Sequence, residues 1–258
     1  MRKREQESFH YCREMAPVPP ADLQLPADVA AAVSDRKTDI LGHGPAASRL
    51  ALPWWNRTLT DSGLGRFSVT SDPNGSGELQ LTRGSLFGLA TAVGPDTDDD
   101  AYLNLLWHIL AWGSGPKVRN NGRRIAAFAD PAEARANVAL LRQSAEHARS
   151  GNTADAYRTL IRPGKAAIPY LGPSFFTKYL YFAGNGAASH PCVILDERVA
   201  ISLHHAGWSS LPPRRANWYT ATYVAYCELL ARWADELTTS ATHVAPDQIE
   251  RALFNQAG

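Results

Sequence analysis

Apolar residues along this chain recur mostly at steps of three and four. That spacing marks amphipathic helices, so the pattern predicts a mainly α-helical fold. Over 101–112, Leu103, Leu106, Trp107 and Leu110 share one face. Over 131–149 the inward positions are Ala134, Val138, Leu141 and Ala145, and over 219–237 they are Tyr223, Tyr226, Leu230 and Trp233. Shorter helices are expected over 28–34, 84–93 and 154–161. Phe175, Phe176, Tyr179, Leu180 and Phe182 form a further apolar face. One region alternates instead. Residues 66–69 and 78–81 flank the turn-forming stretch Ser71-Asp72-Pro73-Asn74-Gly75-Ser76-Gly77, which predicts a short β-hairpin over 66–81. Leu52-Pro53-Trp54-Trp55 reads as an aromatic pair in a loop.

Between the helix at 154–161 and the apolar face that begins at Phe175 lies Ile168-Pro169-Tyr170-Leu171-Gly172-Pro173, a tight Gly/Pro turn. Helix, turn and helix make a helix-hairpin-helix. Its loop presents backbone N–H groups beside a helix N-terminus, around Gly172 and Ser174, which suits a DNA phosphate. A Gly/Ala/Ser/Pro connection follows, and then Val193-Ile194-Leu195-Asp196, with Asp196 placed to cap the next helix.

Charge narrows where a polyanion can sit. The 258 residues carry a net charge of only +1, so a nucleic-acid site must be a local patch. The candidate patch follows the turn Trp112-Gly113-Ser114-Gly115, where Lys117, Arg119, Arg123 and Arg124 occur with no acid among them. A phosphate-contacting surface and a plain solvated loop both fit it. The acidic run Asp96 to Asp100 precedes a helix, where carboxylates are favourable.

Three scattered cysteines, Cys12, Cys192 and Cys227, fit free thiols in a reducing compartment. With no CxxC pair, and with His204 and His205 lacking a third ligand at suitable spacing, neither a zinc site nor an iron–sulfur centre is expected. No run approaches about 18 apolar residues, and no apolar stretch follows the basic start Met1-Arg2-Lys3-Arg4. A cytoplasmic protein without a membrane partner is expected. Residues 1–26 are polar and proline-rich and predict a loose lead. Residues 27–258 are expected to form a single helical domain of two lobes, about 27–112 and about 113–258.

The order of hairpin, lysine, Gly/Pro-rich connection and helix-opening aspartate resembles the helix-hairpin-helix DNA glycosylases, most nearly the bacterial 8-oxoguanine DNA glycosylase (OGG)-fold proteins. Ile168 to Gly172 resembles the family's L-P-G-V-G hairpin, and Trp112-Gly113-Ser114-Gly115 its W-G-x-G turn with a basic stretch behind it. Lys178 is the candidate lysine and Asp196 the candidate aspartate, 18 residues further on. The chain departs from the bifunctional members in one respect. Their lysine follows the second hairpin glycine by two residues, a position held here by Ser174, with Lys178 one helical turn beyond.

The resemblance implies double-stranded DNA with a modified base as partner, a monomer, and no cofactor beyond a monovalent cation at the hairpin carbonyls. It implies 8-oxoguanine as the leading substrate and base flipping as the route to it. Asp196 would stabilise the oxocarbenium-like sugar or take a proton; the bland reading is an N-cap alone. Lys178 would attack C1′ and give a Schiff base with strand cleavage; otherwise it is a solvated or phosphate-contacting lysine. Trp112, Phe175 and Trp208 are candidates for the base pocket. Other readings stand beside this one: a monofunctional glycosylase for a different base, such as a bulky modified cytosine in viral DNA, a non-catalytic DNA-binding module, and a structural protein with a coincidental hairpin.

Overall fold

The computed structural model describes residues 16–35, 39–73, 77–184, 191–213 and 217–257. The fold is mainly α. In chain order the elements are α1 (Ala27–Ser34), α2 (Leu52–Asp61), β1 (Asp72–Pro73), β2 (Leu79–Gln80), α3 (Arg83–Ala90), α4 (Asp99–Ser114), α5 (Asn121–Ala126), α6 (Pro131–Arg149) and α7 (Thr153–Thr159). They continue with β3 (Ile161–Arg162), β4 (Lys165–Ala166), α8 (Pro173–Ala183), α9 (Glu197–His205), α10 (Thr220–Leu237) and α11 (Pro246–Gln256).

Capping side chains set several of the starts. Asp98 accepts from the Ala101 amide, Asp130 from Ala132 and Glu133, Asn152 from Asp155, and Thr82 from Ser85. Proline occupies the first turn of α2, α6, α8 and α11, where its missing N–H costs nothing. In the acidic run, Asp98 caps α4 while Asp99 pairs with Arg142 and Asp100 with Arg66.

The helix α4 is apolar almost all round, with Tyr102, Leu105, Leu106, Trp107, Ile109 and Leu110 sealed from solvent. It therefore packs on several sides, against α3, α6 and α8. At the other end of the chain α11 lies across α9, α10 and α1, so among the described residues the last helix touches the first. One continuous apolar cluster runs from Leu23 to Leu253. No helix among the described residues is long and apolar enough to cross a membrane.

Three expectations need correction. Leu52-Pro53-Trp54-Trp55 is no loop: it opens α2, and Trp55 and Leu59, four apart, bury its inner face. The β-hairpin is present but shifted, with Asp72 paired to Gln80 and Pro73 to Leu79. Residues 66–69 form no strand because the Asn56 side chain takes both the N–H and the C=O of Val69, at 2.8 and 3.2 Å. Third, the link between α7 and the hairpin turn is more than a short turn. A second antiparallel ribbon intervenes, Ile161 against Ala166 and Arg162 against Lys165, closed by Pro163-Gly164 with Gly164 at φ 75°. That proline–glycine pair was its sequence signal.

Candidate active site

The site grows from the meeting of α8 with the extended segment before α9. Thr177 on α8 donates to the Leu195 carbonyl and accepts from its amide, at 3.0 and 3.2 Å. From the other side Tyr223 and Tyr226 on α10 donate to the carbonyls of Val193 and Ile194, at 3.0 and 2.6 Å. These three hydroxyls bond the backbone of a buried, unladdered extended segment and so fix where Asp196 emerges.

One turn beyond Thr177's neighbour Ser174, Lys178 folds back on its own helix. Its Nζ donates to the Ser174 carbonyl at 2.8 Å and to Asp196 Oδ2 at 2.8 Å. Lys178 is 6% exposed and Asp196 9%. The other carboxylate oxygen, Oδ1, accepts the Arg198 and Val199 amides at the start of α9. Burial pushes the Asp196 pKa up, but the Lys178 ammonium and the amide hydrogen bonds together outweigh it and hold it below the usual carboxylate value. Asp196 is therefore both a helix cap and an ion-pair partner, one oxygen for each task.

Lys178 and Asp196 face a narrow cleft of about 110 Å³. Trp112 and Gly113 from the end of α4, His43, Pro45, Arg83, Ile194, and Glu250 and Phe254 of α11 complete its lining. Gly113 brings the end of α4 close to the lysine: a Cβ there would stand 3.0 Å from Lys178 Cδ and 3.4 Å from the Phe175 ring. Behind the cleft lies a buried polar network. Arg83, 1% exposed, donates to Glu250 at 2.6 Å, to the Tyr181 hydroxyl at 3.3 Å and to His43 Nδ1 at 3.3 Å. Tyr181 in turn donates to Asp247 at 2.6 Å. Burial raises the Glu250 carboxyl above its ordinary value against the pull of Arg83. His43 is pushed down to about 3, first by burial and then by the cations Arg83, Arg251 and Lys178. It is a neutral imidazole at physiological pH.

The remaining candidates divide. Lys117, Arg119 and Arg123 are exposed, on and beside α5. Arg124 is not part of that exposed row. It is 8% exposed, its guanidinium lies over the Phe175 ring at 3.9 Å, and it bonds the Asn121 side chain and the Tyr170 carbonyl. Burial pushes its pKa down to about 10. Arg124 thus ties α5 to the hairpin, where Tyr170 adopts φ 62° and lies under Arg123. At the hairpin, the Gly172 and Ser174 amides donate to no acceptor among the described residues. The Ile168, Tyr170 and Gly172 carbonyls already accept hydrogen bonds.

Of the aromatic candidates, Trp112 lines the cleft and Phe175 packs between Arg124 and Lys178. Trp208 is a correction: it is 0% exposed and outside the cleft lining, a core side chain with no surface to offer a base. His43, Arg83, Glu250 and Phe254 were not readable as site residues, because no local motif marks them. Arg214 and Arg215, a basic pair after Pro212-Pro213 that could also meet phosphate, lie outside the described residues. No group of three or more metal-binding side chains occurs among the described residues. A wider groove of about 760 Å³ shares no residue with the cleft.

A family model described as “Putative 8-oxoguanine DNA glycosylase OGG-like protein” matches residues 42–254. That span holds every residue of the cleft lining, from His43 to Phe254. No curated protein and no solved structure matches the chain.

Proposed function

The chain belongs to the OGG-like DNA glycosylase family, and from that premise we propose that Lys178 and Asp196 are its reactive pair and 8-oxoguanine its leading substrate. The observation that carries this is the buried contact of 2.8 Å between the amine and the carboxylate at a cleft. Double-stranded DNA would lie against the hairpin amides and the exposed Lys117, Arg119 and Arg123, with the damaged base turned out into the cleft.

As the base leaves, the bond between C1′ and its nitrogen breaks, and positive charge builds on the sugar. The Asp196 carboxylate, ionised and poorly solvated, opposes that charge. Lys178 can attack only after losing a proton, and Asp196 Oδ2 is hydrogen-bonded to the nitrogen that must lose it. The new bond joins Nζ to C1′ while the electron pair of the old bond departs with the base. Ring opening gives a Schiff base, and β-elimination then breaks the bond from C3′ to its phosphate oxygen.

One observation favours a second reading. Nζ gives hydrogen bonds to two acceptors at rest, Ser174 O and Asp196, and so is anchored rather than free to swing towards a sugar. Lys178 would then orient the carboxylate, Asp196 would activate water, and the product would be an abasic site.

Borohydride trapping on duplexes carrying 8-oxoguanine or an abasic site, with Lys178→Gln alongside, separates the two. A covalent complex lost in the variant supports the Schiff-base reading. Alkali-labile sites without a trap support the water mechanism. Base release confined to DNA with a bulky modified cytosine would move the substrate and point to antiviral defence. Salt-dependent binding without base release from any DNA would leave a binding module.

A further inference from the structure

His43 is the polar side chain of the cleft with no assigned task. Its ring meets Trp112 edge to face, with centroids 5.4 Å apart and planes at 83°, and Phe254 at 6.1 Å and 60°. Trp112 Nε1 also donates to the His43 carbonyl at 3.3 Å, so ring and backbone are both held. Arg83 Nε donates to His43 Nδ1 at 3.3 Å. A guanidinium has no lone pair to offer, so the nitrogen facing it must be the acceptor and the ring proton sits on the other nitrogen. Turning the ring over changes the label and not the logic. Nε2 has no hydrogen-bond partner among the described residues, and His43 lines the cleft beside Lys178 and Asp196. Arg83 is itself fixed by Glu250 and Tyr181, so the tautomer is set by a buried network.

We propose that His43 donates an N–H hydrogen bond to the base turned out into this cleft, selecting bases with a carbonyl oxygen or lone-pair nitrogen there and steadying the charge they carry away. The inference rests on the glycosylase reading and deepens it. When the glycosidic bond breaks, its electron pair goes to the base and spreads to that base's acceptor atoms. A fixed N–H aimed at one of them is worth more in the transition state than before it. A neutral imidazole serves as such a donor without adding a cation beside Lys178 and Arg83. Burial, and after it the cations Arg83, Arg251 and Lys178, disfavour the imidazolium.

The test compares two readouts on one pair of variants. Single-turnover release of 8-oxoguanine from a duplex should fall about 100-fold in His43→Phe. His43→Gln, whose amide can both accept from Arg83 and donate into the cleft, should recover part of that loss. Affinity for the same duplex carrying an abasic site, where no base is left to contact, should stay within about twofold in both variants. Unchanged release in His43→Phe would overturn the proposal. Equal losses in release and in abasic-site affinity would also overturn it, since they would make His43 a structural prop. A wild-type protein that binds the abasic duplex but releases no 8-oxoguanine would sink the substrate reading and this proposal with it.

Discussion

Lys178 Nζ and Asp196 Oδ2 stand 2.8 Å apart with both side chains almost wholly withdrawn from water. A buried pair of this kind is costly to break from one side, because the survivor keeps its charge and loses its partner. Asp196→Asn should therefore lower stability by about 3–5 kcal/mol. The loss is not a capping effect, since asparagine caps a helix as well as aspartate does. Adding Lys178→Met removes the stranded charge, and the double variant should regain most of the stability while releasing no base. Urea unfolding of Asp196→Asn, Lys178→Met and the double variant measures it, and additive single losses would contradict the pairing.

Acid should weaken the fold in two stages. The folded protein holds His43 near 3, well below an unfolded histidine. Unfolding therefore takes up a proton between about pH 6.5 and 3, and stability falls as pH falls through that window, with a slope approaching about 1.4 kcal/mol per pH unit. Asp196 is also held low, so its contribution is present above the unfolded value of about 3.9 and is lost only as pH drops below it. His43→Gln should make the stability profile shallower between about pH 6.5 and 4, with the buried His108, also held low, keeping part of the slope. Asp196→Asn should act only below that window. Denaturation midpoints at half-unit pH steps distinguish them.

Gly113→Ala should separate activity from stability. Alanine is the better helix residue by about 1 kcal/mol. Its methyl would press on Lys178 Cδ at 3.0 Å and Cε at 3.3 Å. The flexible lysine gives way, so the melting temperature should hold within a few degrees. The displaced amine should cost about tenfold in base release. A parallel fall in both would mean the helix end, not the lysine, has moved.

Lys117, Arg119 and Arg123 are exposed, while Arg124 is sealed against Phe175. Single alanine substitutions at the first three should each reduce the slope of log affinity against log salt by about 1. Arg124→Ala should leave that slope nearly unchanged and instead loosen the hairpin, seen as faster amide exchange around Tyr170. A full unit lost from the slope in Arg124→Ala would return it to the phosphate-contacting group.

Much of this was legible because it is local. Helices α4, α6 and α10 declare themselves by apolar spacing, and Asp196 by its place after Val193-Ile194-Leu195. Lys178 and Asp196 sit close enough in the chain for one motif to hold both. The rest of the cleft is assembled over distance. His43 meets Arg83 across 40 residues and Arg83 meets Glu250 across 167, and no short pattern encodes such a pairing. Burial misled in the opposite direction. Arg124 and Trp208 look like surface recognition residues in a basic stretch and a turn, yet packing withdraws both. The tyrosines Tyr223 and Tyr226 read correctly as core, but their hydroxyl ends also carry the strand that delivers Asp196.

The placement of Glu250 and Phe254 on α11 gives the cleft a birth order. A ribosome releases Lys178 and Asp196 well before it releases the helix that walls them in. During that interval Arg83 lacks its carboxylate, and the amine and its aspartate have no finished chamber around them. Synthesis thus completes the cleft last, and an interrupted nascent chain carries Lys178 and Asp196 without the helix that walls them in.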